Sequence, residues 1–177
     1  MDSSSSSGRG DTHRVGYRRI LVPTDGSPLA EAAYVHARAI SAEHRADVVI
    51  LRSVVPRANR LALGGAVAMA PGAVQLLATL NADVEAELEV ARANVREVRD
   101  AFESRGVRCA PPRVVEGVPG EVIIRVARDL RCDLIVMSTH GRSGLGRLVL
   151  GSVAQYVVAH LEDPALLLCR PAHHGQP

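Results

Sequence analysis

The chain has 177 residues, 47% of them hydrophobic, enough to bury one sizeable core and too few to argue for two domains. Its formal charge of +2 is spread over interspersed acids and bases, and it has no Trp and one Phe, so neither a basic stripe nor an aromatic platform favours nucleic acid as a partner. All 21 basic residues are arginine, which excludes a Schiff-base lysine and the lysine of a GxxxxGK[ST] phosphate loop.

Residues 1–15 are Ser, Gly and charge, and are expected to form a disordered leader, with 172–177 a disordered tail and one folded domain over 16–171. The start lacks the charge and apolar stretch of a signal peptide, and no apolar run approaches the ~20 residues of a membrane helix. A cytoplasmic protein without a membrane partner is expected. Cys109, Cys132 and Cys169 share no CxxC or Cys/His ligand spacing, so they read as small core residues in a reducing compartment, and no dedicated metal ligands are evident.

Short apolar runs alternate with stretches of helical period, the pattern of βα units winding a parallel α/β sheet with helices around it. The first strand is Arg19 to Pro23, followed by Asp25-Gly26-Ser27-Pro28, where Ser27 suits a helix cap and Pro28 a first turn. That helix runs to about His44 with Leu29, Ala33, Ala37 and Ile40 on one face. The second strand spans Val48 to Val54. Residues 57–76 contain Gly64-Gly65 and Pro71-Gly72 without firm periodicity and read as a long connection, either a lid or an insertion.

The longest helix follows, with Leu77, Leu80, Val84, Leu88, Ala91, Val95, Val98 and Phe102 spaced by three and four. The stretch is under four heptads, which favours packing on the sheet over a coiled coil. A third strand is expected from Val107 to Val115, at the sheet's margin because Pro111 and Pro112 cannot donate to a ladder. A short helix then turns Val122, Ile123, Val126, Ala127 and Leu130 inward. Asp133 to Met137 reads as a fourth strand buried on both faces, Gly151 to about Leu161 as the last helix, and Ala165 to Cys169 as the fifth strand.

Ligands of an open parallel sheet bind beyond the carboxyl ends of its strands, where the winding reverses. Two segments have the chemistry for that place. In Pro23-Thr24-Asp25-Gly26-Ser27 the carboxylate of Asp25 can accept hydrogen bonds from an adenine amino group or a ribose hydroxyl, or can cap its own helix; the residues alone permit either. In the segment from Met137 to Val153, Gly141, Gly144 and Gly146 let backbone amides approach an anion, and Gly151-Ser152 opens a helix whose unpaired N–H groups and dipole favour phosphate. Such binding needs no lysine. Arg142 and Arg147 stand in the same segment, able to neutralise phosphate or simply to be solvated.

These residues resemble the universal stress protein family. Its nucleotide signature is Gly, two residues, Gly, nine residues, Gly, then Ser or Thr, and the matching positions are Ser138, Gly141, Gly151 and Ser152. Ser138 departs from the pattern and adds a hydroxymethyl group where the family has hydrogen. Thr24-Asp25-Gly26-Ser27 also looks like the family's start, and the resemblance spans about Tyr17 to Arg170.

The resemblance implies a Rossmann-like α/β fold: a five-stranded parallel sheet in the order 3-2-1-4-5, with helices on both faces. Pro23, Thr24 and Asp25 would then meet adenine and ribose, with main-chain contacts from Val54. Met137, Ser138, His140 and Gly141 would line the ribose and first phosphates, His140 through backbone and packing rather than catalysis. Gly151, Ser152 and Val153 would hold the outer phosphates, beside Arg142, Gly144 and Arg147. ATP is the implied ligand, with Mg²⁺ bridging its phosphate oxygens, and a homodimer through residues 164–170 is the implied assembly. The expected role is that of a nucleotide-dependent regulatory or stress-response protein with slow ATP hydrolysis at most; AMP or cyclic AMP as ligand, and a structural dimer without nucleotide, are the competing readings. An ATP pyrophosphatase is disfavoured because Thr24-Asp25-Gly26-Ser27 is not a serine- and glycine-rich loop.

Overall fold

The computed structural model describes residues 16–55, 73–139 and 150–170, with backbone alone over 73–83. Five strands, β1 (Arg19–Pro23), β2 (Asp47–Val54), β3 (Arg113–Glu116), β4 (Leu134–Ser138) and β5 (Ala165–Cys169), form an all-parallel sheet in the order β3-β2-β1-β4-β5. The helices are α1 (Glu31–His44), α2 (Ala73–Glu103), α3 (Pro119–Asp129) and α4 (Ser152–His160). This is the expected architecture and strand order.

Side chains of successive strand residues point to opposite faces, so each apolar run fills two cores. Ile20, Val22, Val48, Ile50, Leu134 and Val136 face α1 and α2, meeting Ala33, Tyr34, Ala37, Val95, Val98 and Phe102. Leu21, Val49, Leu51, Ile135 and Met137 face α3 and α4, meeting Val122, Ile123, Val126, Ala154 and Val157. The central position of β1 follows: Ile20, Leu21 and Val22 are all fully buried. The described part of the α2 stripe therefore packs on the sheet, with Ala91, Val95, Val98 and Phe102 buried and Val84 and Leu88 half-buried.

Three local expectations change. Ser27 makes no side-chain cap; a short 3-10 turn, Pro28–Ala30, precedes α1, and the Ser27 hydroxyl bonds to Asp25 instead. The third strand is shorter than expected, because Pro111 and Pro112 lie between an isolated bridge, Val48 to Cys109, and the ladder that begins at Arg113. Two residues without N–H groups interrupt the pairing there. Residues 73–76 belong to α2 rather than to the connection before it. The leader 1–15, residues 57–72 and the tail 172–177 lie outside the described residues.

Cys132 and Cys169 are buried, Cys109 is half-buried, and none forms a disulfide. Burial pushes the Cys109 and Cys132 thiols up to about 11. No helix among the described residues is long and apolar enough to cross a membrane.

Candidate functional site

From β1 the chain winds toward β2 and β3, whereas β4 leads outward to β5. The helices that follow β1 and β4 therefore leave on opposite faces and open a crevice at the strands' carboxyl ends. A cavity of about 660 Å³ occupies it. Its walls bring together Pro23, Thr24 and Asp25 from the end of β1, Val54 from β2, Met137 and Ser138 from β4, and Gly151, Ser152 and Val153 from the start of α4. These are the residues singled out from the sequence, apart from His140, Gly141, Arg142, Gly144 and Arg147, which lie outside the described residues.

The β1 turn is built by short-range hydrogen bonds. The Thr24 amide donates to the Leu51 carbonyl at 2.8 Å, the last rung between β1 and β2. Asp25 then accepts at Oδ1 from both the amide and the hydroxyl of Ser27, at 3.0 and 2.6 Å. Gly26 sits at φ +74, where any side chain would be strained, and a Cβ there would lie 2.9 Å from Arg52 Nη1 and would have to displace that guanidinium. Asp25 thus closes its own turn and does not cap the helix that follows, whose start carries no side-chain cap; it also borders the cavity.

Behind this turn, Thr24 Oγ1 and Tyr34 Oη are 2.6 Å apart, and the Gly26 amide donates to the same Thr24 oxygen at 3.0 Å. Both side chains are buried. Tyr34 also packs edge-on to Phe102, with centroids 5.6 Å apart. Burial raises the Tyr34 phenol above its ordinary range, the bond to Thr24 opposing that shift, so the hydroxyl stays protonated.

The backbone of β2 has a parity that side-chain patterns do not show. The Val54 carbonyl accepts the Gly117 amide at 2.9 Å, so the main chain of Val54 faces β3. Leu51 faces β1, and Ser53, two residues on, has the same parity; β1 pairing stops at Pro23, so the N–H and C=O of Ser53 project past the end of β1. Ser53 and Val55 both line the cavity.

On the opposite wall the α4 amides converge. Gly151 precedes the helix with extended backbone, and its carbonyl takes the first helical bond from the Gln155 amide at 2.9 Å. The amides of Ser152, Val153 and Ala154 then have no intrahelical acceptor, and all three residues border the cavity. Pro119, which opens α3, is also in the wall, so a second helix start adds its positive end to the crevice. The site's electrostatics thereby suit an anion flanked by a hydrogen-bonding carboxylate. Arg52 and Glu87 line it as well.

Arg52, Ser53, Val55, Glu87, Val90, Pro119 and Thr139 were not anticipated as wall residues. For Thr139 the adjacent signature offered a signal. For Glu87 and Val90 none existed, because the periodicity of α2 identifies only its sheet-facing stripe.

The chain matches the model of the universal stress protein family over residues 16–168. Universal stress protein MJ0531 of Methanocaldococcus jannaschii is 33% identical over 155 residues, covering 88% of this chain and 84% of the relative. The solved structure of hypothetical protein MJ0577, from the same organism, superposes with a TM-score of 0.74 at 26% identity, covering 90% of this chain and 99% of that one. Two more distant structures share the fold: a universal stress protein in complex with cAMP (TM-score 0.60, 22% identity, 89% and 99% coverage) and an Arabidopsis thaliana family protein with AMP bound (TM-score 0.55, 15% identity, 90% and 96% coverage).

Proposed function

The chain belongs to the universal stress protein family, and from that premise we propose that it is a cytoplasmic, nucleotide-dependent regulatory or stress-response protein that binds an adenine nucleotide, ATP foremost, in the cavity over β1 and β4. One observation carries this reading: the Asp25 turn and the amide-rich start of α4 border a single cavity. Two family structures hold adenine nucleotides, cAMP and AMP, which supports the base. The α4 start supports the longer phosphate chain.

On this reading Pro23, Thr24 and Asp25 meet adenine and ribose. The Ser53 main chain, beside Val54, offers a donor and an acceptor to the edge of the base. Met137, Ser138, His140 and Gly141 line the ribose and first phosphates. Gly151, Ser152 and Val153 take the outer ones, with Arg142, Gly144 and Arg147 as further phosphate contacts. Mg²⁺ would arrive on the phosphate oxygens; among the described residues no three His, Cys, Asp or Glu side chains come together to hold an ion. The edge strand β5, with Leu166, Leu167 and Leu168 half-buried, supports a homodimer through residues 164–170.

Mass spectrometry of the small molecules released from denatured purified protein, paired with calorimetry using ATP, AMP and cAMP, tests the reading. ATP recovered or bound more tightly than AMP supports it. Preference for AMP or cAMP moves the ligand to the shorter nucleotides seen in the two family structures. Binding of none of them favours the competing reading, a structural dimer without nucleotide in which Ser138 spoils the site.

A further inference from the structure

We propose that Tyr34 is a positioning residue of this site: by donating its hydroxyl proton to Thr24, it turns the Thr24 proton into the cavity and makes Thr24 an obligatory donor to a ligand acceptor such as a ribose oxygen or a purine ring nitrogen. The proposal rests on the nucleotide reading above.

The argument is a count of protons and lone pairs. Thr24 Oγ1 has two acceptor positions and one proton; the Gly26 amide fills one acceptor position at 3.0 Å, and Tyr34 Oη lies 2.6 Å away. Two arrangements satisfy those distances. If Thr24 donates to Tyr34, the phenol proton is left with no acceptor among the described residues, in a side chain only 9% exposed. A buried polar hydrogen without a partner is costly. If Tyr34 donates instead, every group behind the wall is satisfied. Thr24 oxygen then accepts from both Tyr34 and Gly26, and its own proton takes the remaining tetrahedral direction.

That direction matters because Thr24 is part of the cavity wall, next to Asp25. A carboxylate can only accept, so a neighbouring hydroxyl locked as donor gives this end of the cavity a fixed accept-then-donate order. The phenol is also the stronger acid of the pair, and its burial keeps it protonated. Phe102 against the Tyr34 ring at 5.6 Å holds the phenol in place.

The test is a double-mutant cycle read by calorimetry with ATP, each variant's thermal stability being measured alongside. Tyr34→Phe keeps the ring and removes the hydroxyl, and is expected to weaken ATP binding about threefold to tenfold, because the Thr24 hydroxyl becomes a rotor. Thr24→Val should weaken binding by about tenfold or more, Thr24→Ser should stay close to the unsubstituted chain, and Tyr34→Phe should cost nothing further in the Thr24→Val background. An equal loss in both backgrounds, or no loss from Tyr34→Phe while the unsubstituted chain binds ATP, overturns the role of Tyr34 and leaves the nucleotide reading standing. An unsubstituted chain that binds no nucleotide removes both. The ¹³C shift of the Tyr34 Cζ atom in the labelled, unsubstituted chain reports donor or acceptor character directly, and a phenol that acts as acceptor alone sinks the proposal without any variant.

Discussion

The Gly151 amide donates to the Thr139 carbonyl at 2.8 Å, tying the entrance of α4 to the exit of β4 across the ten-residue stretch 140–149. The Thr139 amide in turn donates to the Cys169 carbonyl at 2.9 Å, so the pinch is anchored to the sheet. Thr139 and Gly151, which flank that stretch, are thereby held together at the cavity wall.

Gly151 has φ −60 and ψ 150, a conformation open to any residue, so its backbone does not require glycine. Gly151→Ala is expected to change stability by less than about 0.5 kcal/mol while weakening ATP binding by about tenfold or more, since Gly151 borders the cavity and an added methyl group takes room from the ligand. Gly151→Pro removes the donor to Thr139 and should cost about 1 kcal/mol of stability as well. Urea unfolding and calorimetry separate the two effects.

Asp25 serves its turn with one oxygen and the cavity with its charge, and two substitutions divide those duties. Asp25→Asn retains an acceptor for Ser27 and should leave stability within about 0.5 kcal/mol while reducing ATP affinity about tenfold. Asp25→Ala loses the acceptor too, and should also lower stability by about 1–2 kcal/mol. Equal unfolding midpoints for the two variants would contradict this division.

Ser138 is the half-buried last residue of β4 and borders the cavity at the position where the family has glycine. Ser138→Gly is expected to tighten ATP binding about threefold to tenfold by removing the hydroxymethyl group, and to lower stability by about 0.5–1 kcal/mol because glycine gains more freedom on unfolding. Unchanged affinity would mean that the serine already fits the ligand.

Alkaline pH should weaken the fold through its thiols. Burial raises Cys132 from an ordinary 9.0 to about 11, and Cys109, half-buried near Glu103, behaves likewise. A raised folded-state value means that the folded chain holds the proton more tightly than the unfolded one. This contribution is intact below about pH 9 and falls as pH climbs toward 11. Urea midpoints measured across that window should decline, and Cys132→Ala should decline less steeply.

Much of this protein was legible in the chain. Local periodicity fixes which segments are strands and helices, since each must turn an apolar face inward, and the two polar turns at Asp25 and Gly151 carry their chemistry in their residue types. The strand order came with the family signature, because five short strands do not by themselves say which lies beside which. Tertiary structure decided the rest: that β1 pairing stops at Pro23 while β2 runs on, so the Ser53 backbone rather than that of Val54 projects past it; that Arg52 and Glu87 reach the cavity wall; and that Tyr34 meets Thr24. Those facts depend on where one strand ends relative to its neighbour and on how a helix is rotated against the sheet, and no residue type or spacing within a single segment records either.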